Sequence, residues 1–317
     1  MSQTISMDAL PECWGHRGAS AAYPENTLAS FEAAMRDGAE GIESDVHVSL
    51  DDVVVMFHDP SLERTTDSDG LIRNKKWYGP DGMEQVRTTK EPKQAIPTFA
   101  ETVSLLMKPE NNHVKFNVDC KVYNDPPRLF SLMHKIVSAH ENWETALAPR
   151  IILGLWHPRF IKHAKEHMPY CTRSYIGGSP YIARKYFWEH CGAFSMWFAG
   201  LATVDGQRFI RECKAGNKHL MVWTVNERAQ MMECARWRVN AVLTDRTKMW
   251  LALREELQTD FEKVASQHAR AFLWTTPKFY TAVQFILNRL DKAELEREGG
   301  SFDAAEVEST PVVRALA

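Results

Sequence analysis

Eight short apolar runs, alternating with helix-period stretches between residue 12 and about 250, predict an α/β chain closed as a TIM (β/α)8 barrel. Two further features shape the expectation: one connection, about 59–95, is far longer than the others, and the composition changes beyond residue 251. Long loops at the carboxyl ends of barrel strands commonly serve as lids or substrate platforms, with a solvated excursion as the alternative. The expected organisation is a barrel over 12–250, C-terminal helices over 251–290 and a disordered, acidic tail over 291–317.

The strands are expected near Cys13–Gly15, Gly41–His47, Val114–Lys121, Ile151–Leu155, Cys171–Ile176, Phe194–Phe198, His219–Thr224 and Ala241–Thr244, with an extra extended run at Val53–Phe57. Thr27 is placed to cap a helix whose Leu28, Phe31 and Met35 share a face, and Gly38 to stop it. Pro127, Pro158 and Pro180 mark first turns, where a missing N–H costs nothing. Phe209–Ala215 and Ala229–Ala235 are amphipathic, and Leu251–Val264 reads as a charged helix. Residues 271–290 are more apolar. After Pro277, Phe279, Val283, Ile286, Leu287 and Leu290 form one stripe, with Lys278, Arg289 and Lys292 nearby. Such a helix suits a bilayer interface, the barrel exterior or a second copy of the chain.

A net charge of -3 and a pI near 6.5 give no global basic field, which argues against a nucleic-acid partner; an anionic ligand must be held locally. The six cysteines form no CxxC pair, so neither a zinc knuckle nor a disulfide scaffold is expected. The polar amino terminus lacks a signal-peptide layout, and no run reaches the roughly 18 apolar residues of a spanning helix. An intracellular protein is expected, cytoplasmic or peripheral on a membrane.

The chemistry-bearing residues cluster at strand ends. WGHRGASAAYPENT puts His16 and Arg17 directly after the first strand, on the rim where barrel active sites lie. An imidazole moves protons near neutral pH and a guanidinium forks phosphate oxygens, so the pair suits a phosphodiester. In GIESDVHV, Glu43 and Asp45 share a strand face, with His47 following as a bystander. Paired interior carboxylates call for a positive partner: a hard divalent cation, Mg²⁺ or Ca²⁺, or else ion-paired rim residues. FHDP supplies His58, the second imidazole of an acid–base pair. In FNVDCK, Asp119 and Lys121 share a face; Asp119 extends the carboxylate set and Lys121 offers a phosphate-binding point charge, a plain buried ion pair being the alternative. Trp223, at a late strand end, either walls a glycerol-sized pocket or is simple core.

The series GHRGA, PENTLASFEAA, GAEGIESDVHVSLD, FHDPSLERTT, FNVDCK, VWTVN and VLTD resembles, in order and spacing, the glycerophosphodiester phosphodiesterase family over roughly residues 12–250. The resemblance implies a TIM barrel with a small insertion after the second barrel strand. It also implies His16 and His58 as catalytic histidines, Arg17 and Lys121 as phosphate-binding residues, and Glu43, Asp45 and Asp119 as metal ligands. Asp119 stands where many members carry the longer Glu, so a shifted cation or an extra water is expected. RIILGLWHPRF, SMWF and the apolar tail resemble the fungal phosphatidylglycerol phospholipase C branch. That likeness implies cleavage of phosphatidylglycerol to diacylglycerol and glycerol 3-phosphate, and peripheral contact of 271–290 with endoplasmic reticulum, lipid droplet or mitochondrion. A soluble enzyme for deacylated glycerophosphodiesters and a silent head-group-binding barrel are the alternatives. His16 is expected as base and His58 as acid, an order that the residues alone leave open.

Overall fold

The structure is a computed structural model that describes residues 10–268, 285–286 and 289–305. Its strands are β1 (Glu12–His16), β2 (Gly41–Val48), β3 (Val54–Met56), β4 (Lys115–Cys120), β5 (Ile151–Leu155), β6 (Thr172–Gly177), β7 (Ala193–Trp197), β8 (His219–Trp223) and β9 (Ala241–Thr244). Eight of them pair in parallel in the order β1-β9-β8-β7-β6-β5-β4-β2, and β1 pairs back to β2, so the sheet closes. The exception is β3, the expected run at Val53–Phe57, which lies antiparallel on the end of β2.

Both faces of a closed parallel sheet are covered, which is why the strands read as apolar runs rather than alternations. Alternate residues divide between two cores. Trp14, Ile152, Ala193, Met221, Ala241 and Leu243 fill the lumen, with Trp223 packed on them. Residues such as Cys13, Ile42, Val46, Phe116, Val118, Leu153 and Phe194 face the surrounding helices. The lumen core closes the barrel below the site, leaving the strand ends to form the mouth.

The first helix, Leu28–Asp37, starts at a Thr27 capping box and stops at left-handed Gly38, as expected. Pro127 falls in the first turn of Pro126–Val137 and Pro180 opens Pro180–Ile182, whereas Pro158 is the residue before Arg159–His167. The insertion is more than a solvated excursion. Val55, Phe57, Leu62, Ile72, Trp77, Met83, Val86 and Ile96 bury together as a satellite core, and two short 3-10 turns, Ile72–Asn74 and Met83–Gln85, account for the lack of a sustained period.

Two expectations beyond the barrel are corrected. The charged helix is interrupted: Thr247–Thr259 ends at Asp260, whose carboxylate caps the amide of Lys263 and starts Phe261–Gln267. The tail from 291 is ordered through 305, helical over 289–299 with a 3-10 turn at Phe302–Ala304. Composition suggested disorder, but Phe302 is 2% exposed, packed edge-on against His157 at 4.5 Å and against Tyr186 at 5.3 Å. Buried apolar area of that size outweighs a charged composition. Of the apolar stripe, Phe279, Val283 and Leu287 lie outside the described residues; Ile286 and Leu290 are exposed. No helix among the described residues is long and apolar enough to cross a membrane.

Candidate active site

The first strand ends in His16, and the chain turns sharply through Arg17 and Gly18, both with positive φ. A β-carbon on Gly18 would meet Ser30 at 2.4 Å, so this turn can press onto the first helix only with glycine there. Arg17 holds its unfavourable backbone because its amide donates to Glu43 Oε2 at 2.9 Å and its carbonyl accepts from Ser30 Oγ at 2.9 Å. Through this turn the His16 and Arg17 side chains reach the barrel mouth.

In β2 and β4, in register, Glu43 faces Asn117 and Asp45 faces Asp119. Oxygen atoms of Glu43, Asp45 and Asp119 lie within 4.8 Å of one another, all three residues buried. Lys121 Nζ donates to Asp45 Oδ1 at 2.8 Å and Asp119 Oδ2 at 2.7 Å. Trp156 Nε1 donates to Asp119 Oδ1 at 2.6 Å and Asn26 Nδ2 to Asp45 Oδ2 at 2.8 Å. Arg17 Nε sits 3.6 Å from Asp45 Oδ2 while Nη1 donates to Glu25 at 3.0 Å. The shorter side chain of Asp119 therefore still joins the cluster.

Burial pushes the Glu43 carboxyl up to about 8, with Asp45 adding to the effect. Burial works against ionisation of Asp45 too, but Lys121 and Arg17 hold it well below the usual carboxylate range. Asp119 is raised, by burial first, against the pull of Lys121. Three carboxylates thus face two cations, and the site is short of positive charge. An all-oxygen donor set with that deficit fits a hard divalent cation, which Glu43, Asp45 and Asp119 would hold.

Each of the two expected histidines is gripped by an aspartate. His16 Nδ1 donates to Asp245 Oδ1 at 2.7 Å, and His58 Nδ1 to Asp59 Oδ1 at 2.6 Å. A carboxylate acceptor fixes the proton on Nδ1 and leaves Nε2 for chemistry. His16 Nε2 lies 3.8 Å from Glu43 Oε2. Burial lowers the His16 pKa, but Glu43 and the bond from Asp245 outweigh it and the net shift is upward. His58 is shifted downward, by burial first and by Lys121 and Arg17 against Asp45.

All eight expected side chains, His16, Arg17, Glu43, Asp45, His58, Asp119, Lys121 and Trp223, line one cleft. Trp223 is a wall rather than plain core: its ring meets Trp156 at 5.8 Å and its Nε1 donates to Ser195 O at 3.0 Å. His47 stays outside the cleft, buried and shifted down to about 4 by that burial, and its Nε2 donates to the His58 carbonyl at 3.1 Å. It positions His58. Sequence reasoning missed Asp245, Glu25, Asn26 and Trp156, and it noted Asp59 beside His58 without giving it a role. For Asp245 a signal existed: it directly follows β9, two residues from lumen-facing Leu243.

A parallel barrel with two aspartate-held imidazoles, a guanidinium, an ammonium and a carboxylate triad at one mouth belongs to a phosphoric diester hydrolase. The chain belongs to the Glycerophosphoryl diester phosphodiesterase family, whose sequence model matches residues 16–249. It is similar to glycerophosphodiester phosphodiesterase domain-containing protein 4 of Macaca fascicularis, 26% identical over 88% of this chain and 44% of that protein, so it spans under half of that relative. A glycerophosphodiester phosphodiesterase of Caldanaerobacter subterraneus is 23% identical over 73% of this chain and 92% of its own length. Among solved structures, an Oleispira antarctica phosphodiesterase in complex with the product sn-glycerol-3-phosphate superposes with a TM-score of 0.65, at 22% identity, over 78% of this chain and 97% of that one. A glycerophosphodiester phosphodiesterase from Agrobacterium tumefaciens gives 0.61 at 19% identity, over 78% and 100%.

Proposed function

We propose that this protein hydrolyses a glycerophosphodiester to glycerol 3-phosphate and an alcohol, with His16 and His58 as the proton-transferring pair. The observation that carries this is the pair of Asp–His contacts, 2.7 Å and 2.6 Å, on two sides of one carboxylate-lined cleft. The Oleispira relative, in complex with sn-glycerol-3-phosphate, supports the product class. When bound at Glu43, Asp45 and Asp119, a divalent cation supplies Lewis-acid neutralisation of the phosphate charge.

The remaining work falls to the side chains. Arg17 and Lys121 face the phosphate oxygens, where charge builds in the transition state. The order expected from the sequence is kept, His16 as the base and His58 as the acid that protonates the leaving oxygen, each imidazole presenting Nε2 while an aspartate holds its Nδ1. The nucleophile is the vicinal hydroxyl of the glycerol moiety or water; full turnover of an analogue lacking that hydroxyl would remove the first route. Product analysis after incubation with glycerophosphocholine tests the reading as a whole, and absence of glycerol 3-phosphate, with Mg²⁺ or Ca²⁺ supplied, would sink it.

A narrower reading is phospholipase C action on phosphatidylglycerol at a membrane surface. It is favoured by Phe285, Ile286 and Leu290, each 58–61% exposed, beside the segment whose Asp291, Glu294 and Leu295 line a second cleft adjoining His58 and Trp156. Replacing all three apolar residues by Ser and measuring vesicle flotation together with diacylglycerol release tests it; unchanged flotation and release would remove their support.

A further inference from the structure

We propose that Asn117 and Ser195 recognise the hydroxyl groups of the glycerol moiety at the floor of the cleft, an inference that rests on the diester reading above. Asn117 is 0% exposed and Ser195 1%. Yet Asn117 Oδ1 and Nδ2 and Ser195 Oγ have no hydrogen-bond partner among the described residues. Buried polar atoms are almost always paired, so three unpaired atoms lining one cleft mark groups kept for a ligand.

Their placement gives the ligand its shape. Asn117 faces Glu43 in the β2–β4 register and lies two residues before Asp119 on the same strand face, one step deeper than the phosphate-facing groups. Ser195 sits on β7, in register with Met221 of β8. The other floor residues, Ile176, Leu243 and Trp223, offer apolar surface, and Trp223 Nε1 is already committed to the Ser195 carbonyl. A small polyol with its phosphate at the mouth matches this arrangement. Its C–H faces pack on Trp223, Ile176 and Leu243, while an amide that both donates and accepts and one hydroxyl meet its O–H groups. A phosphodiester whose esterified group carries no free hydroxyl would leave all three polar atoms unpaired and be rejected.

The test is calorimetric titration of the full chain, with Mg²⁺ present, by sn-glycerol 3-phosphate and separately by inorganic phosphate, for wild type, Ser195→Ala and Asn117→Leu. Each variant is expected to bind glycerol 3-phosphate about three- to tenfold more weakly and phosphate equally well. Correspondingly, kcat/KM should fall for glycerophosphoglycerol but not for bis(4-nitrophenyl) phosphate. Ser195→Ala removes a single atom, so it keeps the test decisive even if Asn117→Leu fails to fold. Unchanged glycerol 3-phosphate binding, or a parallel loss of phosphate binding, overturns the inference. A wild type that cleaves the diester and prefers glycerol 3-phosphate, with variants that match it, leaves the diester reading standing. A wild type that binds phosphate and glycerol 3-phosphate equally overturns both.

Discussion

Asp245 Oδ1 accepts the His16 Nδ1 proton at 2.7 Å across 229 residues of chain, and the same oxygen accepts from Ser20 Oγ at 2.8 Å. The other oxygen accepts from Asn226 Nδ2 at 2.5 Å, so the carboxylate is held from three sides. Its pKa falls to about 2: burial opposes ionisation, but the bond to His16 outweighs it. The carboxylate therefore stays ionised and fixes the His16 tautomer.

Asp245→Asn should keep the fold, judged by circular dichroism, and lower kcat by roughly 10²-fold or more, since an amide no longer enforces the Nδ1–H tautomer. A kcat within twofold of wild type would show that the contact is only structural.

Leaving-group chemistry separates the two histidines. A p-nitrophenyl leaving group needs no protonation, so His58→Ala should lose far less activity on a 4-nitrophenyl diester than on glycerophosphocholine, whereas His16→Ala should lose roughly 10²-fold or more on both. The opposite pattern would exchange their roles.

Divalent-cation binding should raise the melting temperature of the wild type, because a ligand of the folded state stabilises by mass action. Asp119→Ala should abolish that shift and leave the cation-free protein folded. A cation-dependent shift of equal size in the variant would remove Asp119 from the site.

Stability should decline below neutral pH through His219, which packs beside Trp14 at the far end of the lumen. Its folded pKa is about 4, lowered by burial and by Lys115 against Glu12. Between about 6.5 and 4 the unfolded chain takes up a proton that the folded one refuses, so folding weakens as pH falls, by about 2 kcal/mol at pH 5. Urea midpoints at pH 7.5 and 5 should move less for His219→Gln than for wild type.

Phe302→Ala should cost about 3 kcal/mol of local docking energy. Limited proteolysis should then cut within 289–305 while the barrel resists; equal resistance in both proteins would show that the segment is held by other contacts.

The local pattern of the chain already determined the eight barrel strands, the Thr27–Gly38 helix and eight of the residues that line the cleft. Strand ends announce themselves: a charged residue closing an apolar run, as at His16 and Lys121, has nowhere to sit but the mouth of a closed parallel sheet. What only tertiary structure decided is pairing at long range. No period in the sequence joins Asp245 to His16, or makes Asn26 and Trp156 hold Asp45 and Asp119, because those contacts arise when barrel closure brings distant strand ends together. The tail illustrates the same limit from the other side. Its charged composition suggested disorder, and a single buried ring, Phe302 against His157, reversed that, because burial depends on what a residue meets and composition does not record it.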